Sequence, residues 1–67
     1  MQDKEVLLQR MIDNLTEQRK ILISFHEITV ELSSKRFYLD KVSKLDFELD
    51  SYNYQLLKVK NEVSSNL

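Results

Sequence analysis

The sequence contains no cysteine, glycine, proline or tryptophan, and no alanine. Without cysteine there are no disulfides, thiolate metal ligands or thiol nucleophiles. Small secreted domains usually rely on disulfides to compensate for a thin core, so the absence points to an intracellular protein. Without glycine, neither a P-loop nor a dinucleotide-binding fingerprint can form, because both bring the backbone close to phosphate. The joint lack of glycine and proline leaves few routes to tight turns and argues against a hairpin-rich β fold. Long apolar runs are missing as well: the longest are three residues, at 6–8, 21–23 and 37–39. A membrane span takes roughly 20 apolar residues and a signal-peptide core roughly 7–15. The expectation is therefore a cytoplasmic chain with no membrane segment. Charge of one sign is also absent, since 10 Lys and Arg oppose 11 Asp and Glu for a net charge of -1. No strong field exists to steer the chain onto nucleic acid.

What remains is a chain of 67 residues, 42% hydrophobic and 31% charged, enough for one small domain spanning 1–67 and too apolar for disorder. Its second half is strongly periodic. Tyr38, Val42, Leu45, Leu49, Tyr52, Leu56, Val59 and Val63 recur at alternating steps of four and three. That is a heptad seam, which predicts a helix over about 35–62. Asp40 and Lys44 add a favourable pair one turn apart. Residues 63–67 are expected to fray.

The first half follows the same alternation through Leu8, Met11, Leu15, Gln18, Leu22, Phe25, Thr29 and Leu32, predicting a helix over about 3–32 with Asp3 as N-cap. Beside that seam lies a second stripe of Leu7, Ile12, Ile21 and Ile28. The combined band is wider than one neighbour requires, as in helices of a four-helix bundle. Ser33, Ser34, Lys35 and Arg36 coincide with a one-residue break in heptad phase. This predicts a turn at about 33–35, with Ser33 or Ser34 capping the second helix. Two alternatives stay open: a short strand over the β-branched segment 28–32, and one unbroken helix of about 60 residues, roughly 90 Å long.

The fold expected is all-α: an antiparallel two-helix hairpin of coiled-coil type, completing a four-helix bundle by dimerisation or by docking on a partner. A single core in a chain this short supplies only about 3–5 kcal/mol, which is why a partner is expected. With the turn centred near Ser34, residues whose numbers sum to about 68 should be level, such as Leu15 with Tyr52 and Phe25 with Val42. Gln18, flanked by Asn14, interrupts the first seam. It can reach water at the seam's edge, or form a polar layer with Asp50, Tyr52 or its own copy that fixes register. Phe47, Tyr54 and Leu57 fall on the outer side of the second helix and form a candidate partner patch.

Candidates for chemistry are few. His26 is the sole histidine, and the residues three and four beyond it, Thr29 and Val30, offer no metal-ligand pair. Asp46, Glu48 and Asp50 fan around a helix instead of converging on one pocket. No catalytic residues, cofactor, metal or small-molecule substrate are expected. The leading expectation is a non-enzymatic interaction module, a self-assembling scaffold or regulatory adaptor, with a homodimer or a helical client as partner. In length and two-helix plan, though in no motif, the whole chain resembles the small hairpin co-chaperones of type III secretion needle subunits. That resemblance implies a chaperone for an assembly subunit. A nucleic-acid-associated regulator is a third reading, disfavoured by the balanced charge.

The heptad assignment is testable directly. Leu49→Asp is expected to abolish folding or assembly, whereas Phe47→Ser leaves helicity intact. Circular dichroism showing Leu49→Asp fully helical, with unchanged native mass, would refute the assignment.

Overall fold

The computed structural model describes residues 3–65, with side chains through residue 62. Helix α1 runs Lys4–Ile28 and helix α2 runs Leu32–Ser65. The two pack against each other as a hairpin, and no strand occurs among the described residues. Asp3 caps α1 as expected: its Oδ1 accepts from the Glu5 backbone N–H at 3.4 Å, satisfying a donor that has no partner within the helix.

The reversal comes earlier in the chain than the polar cluster suggested. Residues 29–31 form the link, so the expected turn at 33–35 lies inside α2, as do Ser33 and Ser34. The cause is local. Ile28, Thr29 and Val30 are three consecutive β-branched residues, whose restricted χ1 rotamers make helix continuation costly. Thr29 adopts extended backbone (φ -86°, ψ 131°), and both its N–H and its Oγ1 hydroxyl donate to the Phe25 carbonyl. The segment read as a candidate strand is thus the interhelix link. No described residue has positive φ, which explains how a chain without glycine reverses. At the start of α2 the Glu31 carbonyl accepts the Lys35 N–H at 3.0 Å, and the Ser33 hydroxyl donates to the Glu31 carboxylate. Lys35 Nζ reaches back to donate to the His26 carbonyl at 2.9 Å, placing a cation on the C-terminal turn of α1.

The earlier turn shifts the pairing. Arg19 meets Asp46, Phe25 stacks on Tyr38, and Leu8 and Ile12 cluster with Leu56. Facing residues sum to 63 at Phe25–Tyr38, 65 at Arg19–Asp46, and 64 and 68 at Leu56 with Leu8 and Ile12, so Phe25 is matched with Tyr38 where Val42 was expected. Helix α2 also extends to Ser65, beyond the expected end near 62, while expectations for 66–67 and for the Val63 side chain lie outside the described residues.

The core is one layer thick. Leu8, Ile12 and Leu15 of α1 and Val42, Leu45 and Leu56 of α2 are buried, each still 6–9% accessible, and no side chain among the described residues is fully enclosed. Tyr38, Leu49, Tyr52 and Val59 are half-buried along the same line, so α2 turns its heptad face to α1 from Tyr38 to Val59. The molecule measures 54 × 19 × 14 Å with a radius of gyration of 15.7 Å. A compact chain of this length would have a radius near about 11 Å. Leu56→Ala removes the α2 member of the buried cluster that it forms with Leu8 and Ile12, at an expected cost of about 2–5 kcal/mol. Thermal melting followed at 222 nm should lose its cooperative transition, and an unchanged midpoint would show that the hairpin core is misassigned.

Candidate functional site

The residues with functional potential lie along α1, and their geometry follows from one row of leucines. Leu8, Leu15 and Leu22 share a heptad position, and a partner helix can settle on either side of that row. Helix α2 takes the side formed by Ile12, Arg19 and His26, which are buried or half-buried. The other side stays open. Met11, Gln18 and Phe25, expected in the seam, are largely exposed, although Phe25 still stacks on Tyr38 of α2 and Gln18 borders Leu45, and Ile12, expected on the second stripe, is in the core at 8% accessibility. Leu32, also expected in the seam, instead begins α2 beyond the end of α1 and is 82% accessible. Heptad counting from one sequence could not separate the two sides, because the leucine row belongs equally to both.

Arg19 shows what α2 gains from its side. The Arg19 Nε donates to Asp46 Oδ1 at 2.6 Å, the only ion pair between the helices among the described residues apart from any that Glu62 makes. Arg19 holds a seam position with its side chain 40% accessible, as a long stem with a solvated head allows. This pair is a polar contact across the hairpin, and Gln18 makes no such contact with α2. Asn14 and Gln18 are both exposed. Gln18 borders a shallow cleft of about 210 Å³ shared with Leu22, Leu45, Lys41, Lys44 and Glu48, which places it at the rim of the helix–helix contact.

On the open side, Leu7, Met11, Asn14, Gln18, Ile21, Phe25 and Ile28 recur at steps of four and three, a complete second heptad stripe. Leu7, Met11, Ile21, Phe25 and Ile28 are all exposed. A shallow depression of about 170 Å³ opens between Ile21, Ser24, Phe25 and Ile28. Phe25 is held upright at this edge by stacking on Tyr38, centroids 5.4 Å apart and planes 12° apart, with Phe37 edge-on to the same tyrosine. Lys41 lies over the Phe37 ring at 5.0 Å. The stripe is therefore a pre-set surface with fixed aromatic rotamers at one end.

The second candidate patch is more dispersed. Phe47, Tyr54 and Leu57 are 80%, 65% and 58% accessible, on the side of α2 away from α1. Two of them stand one heptad apart with no third row to join them. Among the described residues no three His, Asp or Glu side chains gather as a metal ion would need. No helix of the described residues is long and apolar enough to cross a membrane.

The Arg19–Asp46 pair is half in water, so its charge contributes under about 1 kcal/mol. Arg19→Ala should therefore destabilise the hairpin more than Asp46→Ala, because only the former removes the packed stem. Denaturant midpoints at low and high salt check this: equal losses for the two variants would assign the effect to charge alone. Compared with known proteins, the chain matches no family model, no curated protein and no solved structure.

Proposed function

We propose that this chain is a non-enzymatic protein–protein interaction module, a self-assembling scaffold or adaptor that acts by burying a helical apolar stripe against another helix. The single observation supporting this is the side of α1 that the hairpin leaves uncovered. Helix α2 covers the flank that carries Arg19 and His26, and the flank with Met11, Ile21 and Ile28 is exposed, with Phe25 at its edge giving one ring face to Tyr38. Among the described residues thirteen large apolar side chains are exposed against six that are buried, the reverse of what an autonomous domain needs. A second helix laid along the stripe would bury over about 30 Å of α1 what the hairpin cannot reach.

A chaperone reading uses the same surface. The depression between Ile21, Phe25 and Ile28 is large enough to take one apolar side chain of a client helix. In that case the stripe is covered by a client in the cell and exposed only between clients.

The proposal is tested on the native size of the tagged chain in extracts of its source cell. Wild type should run well above one chain's mass, and the double variant Ile21→Lys, Phe25→Lys should run near it. A wild-type chain at monomer mass in the extract would remove the interaction role, whichever partner is considered.

A further inference from the structure

The open stripe has an internal symmetry that selects a partner. Read along α1, its residues are Leu7, Met11, Asn14, Gln18, Ile21, Phe25 and Ile28: apolar at both ends and amide in the middle. Two such stripes laid antiparallel mesh layer by layer when facing residue numbers share a fixed sum. With a sum of 32, Leu7 faces Phe25, Met11 faces Ile21, and Asn14 faces Gln18, each layer occurring twice, while Ile28 lies opposite Lys4 at the end of the stripe. Sliding by one heptad either way destroys the match. A sum of 25 sets Leu7 against Gln18 and Met11 against Asn14; a sum of 39 sets Asn14 against Phe25 and Gln18 against Ile21.

We propose that this stripe is an antiparallel interface with α1 of a second copy of the chain, its two-fold axis passing at Thr16 and its centre a paired Asn14–Gln18 layer. This rests on the interaction-module reading above and adds the partner, the surface and the register. The amides of Asn14 and Gln18 donate and accept, so each satisfies the other when the layer closes, and any apolar slip leaves them unpaired. Antiparallel packing also opposes the two α1 dipoles, which parallel packing would align.

Area supports a second copy. The chain exposes 5533 Å², whereas a folded monomer of its mass exposes about 4,450 Å². The excess, about 1,100 Å², exceeds the roughly 800 Å² that each partner contributes to a standard interface. The stripe facing α2 and the open stripe lie roughly 100° apart around α1. On the open side α2 presents Lys41, Lys44 and Glu48. The two α1 helices therefore form the apolar centre of the dimer, with each α2 outside. The axis brings the two Glu17 side chains near each other at the solvent-exposed rim, where salt screening keeps repulsion small.

The absence of cysteine allows a clean test with single introduced labels. Spin labels at Glu17→Cys, near the axis, should lie within about 15 Å across the dimer. Labels at Glu27→Cys should be separated by at least about 33 Å, the axial distance of 22 residues. A second test is charge exchange. Met11→Lys, Ile21→Lys and Met11→Glu, Ile21→Glu chains should each remain monomeric, and mixing them should give a one-to-one dimer at least tenfold tighter than either alone. Short distances at both labelled sites, or mixing that restores nothing, overturns the register. Purified wild type that sediments as one chain at micromolar concentration overturns the second copy as partner. The interaction reading survives that result if the chain still runs large in cell extract, so the two failures are distinguishable.

Discussion

Everything in this molecule follows from the row Leu8, Leu15 and Leu22, because it serves two apolar faces at once. A helix can offer one neighbour a strip about two positions wide, and α1 carries three adjacent rows in which apolar residues predominate, beside the row of Ile12, Arg19 and His26. Folding back α2 covers only part of them. The resulting hairpin is elongated, with a core one layer deep and no fully enclosed side chain among the described residues. The other side of the leucine row is left without a covering helix in the hairpin.

The second helix was legible in the sequence because one seam accounts for all its periodic apolar residues. From Tyr38 to Val59 every seam position is buried or half-buried. The first helix was legible as a helix but not in its facing. Met11 and Ile12, Gln18 and Arg19, Phe25 and His26 are adjacent pairs, and counting heptads selects the first member each time. The structure selects the other. Arg19 gains an ion pair and keeps its stem packed, options that hydropathy does not register. The turn was misplaced for a related reason: polar, cap-forming serines drew attention, while the break came from a β-branched run that looks apolar in composition.

The candidate surface was partly legible. Leu7, Ile21 and Ile28 were recognisable as surplus to one seam, and Gln18 as an interruption with a role in register. What the sequence hid was that Met11 and Phe25 join them, which needs the azimuth of α2 around α1. Once that is known, the stripe's amide centre and apolar ends become apparent. The Phe47, Tyr54 and Leu57 group, equally visible in the sequence, gains no such order from the structure.

The link at residues 29–31 has a kinetic consequence. The stacked Phe25–Tyr38 rings and the Lys35 bond to the His26 carbonyl lie within about a dozen residues of each other along the chain. Closing so short a loop forfeits little chain entropy, and each later layer outward extends a loop that is already shut. Folding thus zips from the reversal toward the termini, in the microsecond-to-millisecond regime of helical folds with local contacts. The aromatic end of the open stripe is ordered first in that sequence, so Phe25 is set in place before the far ends of the helices have met.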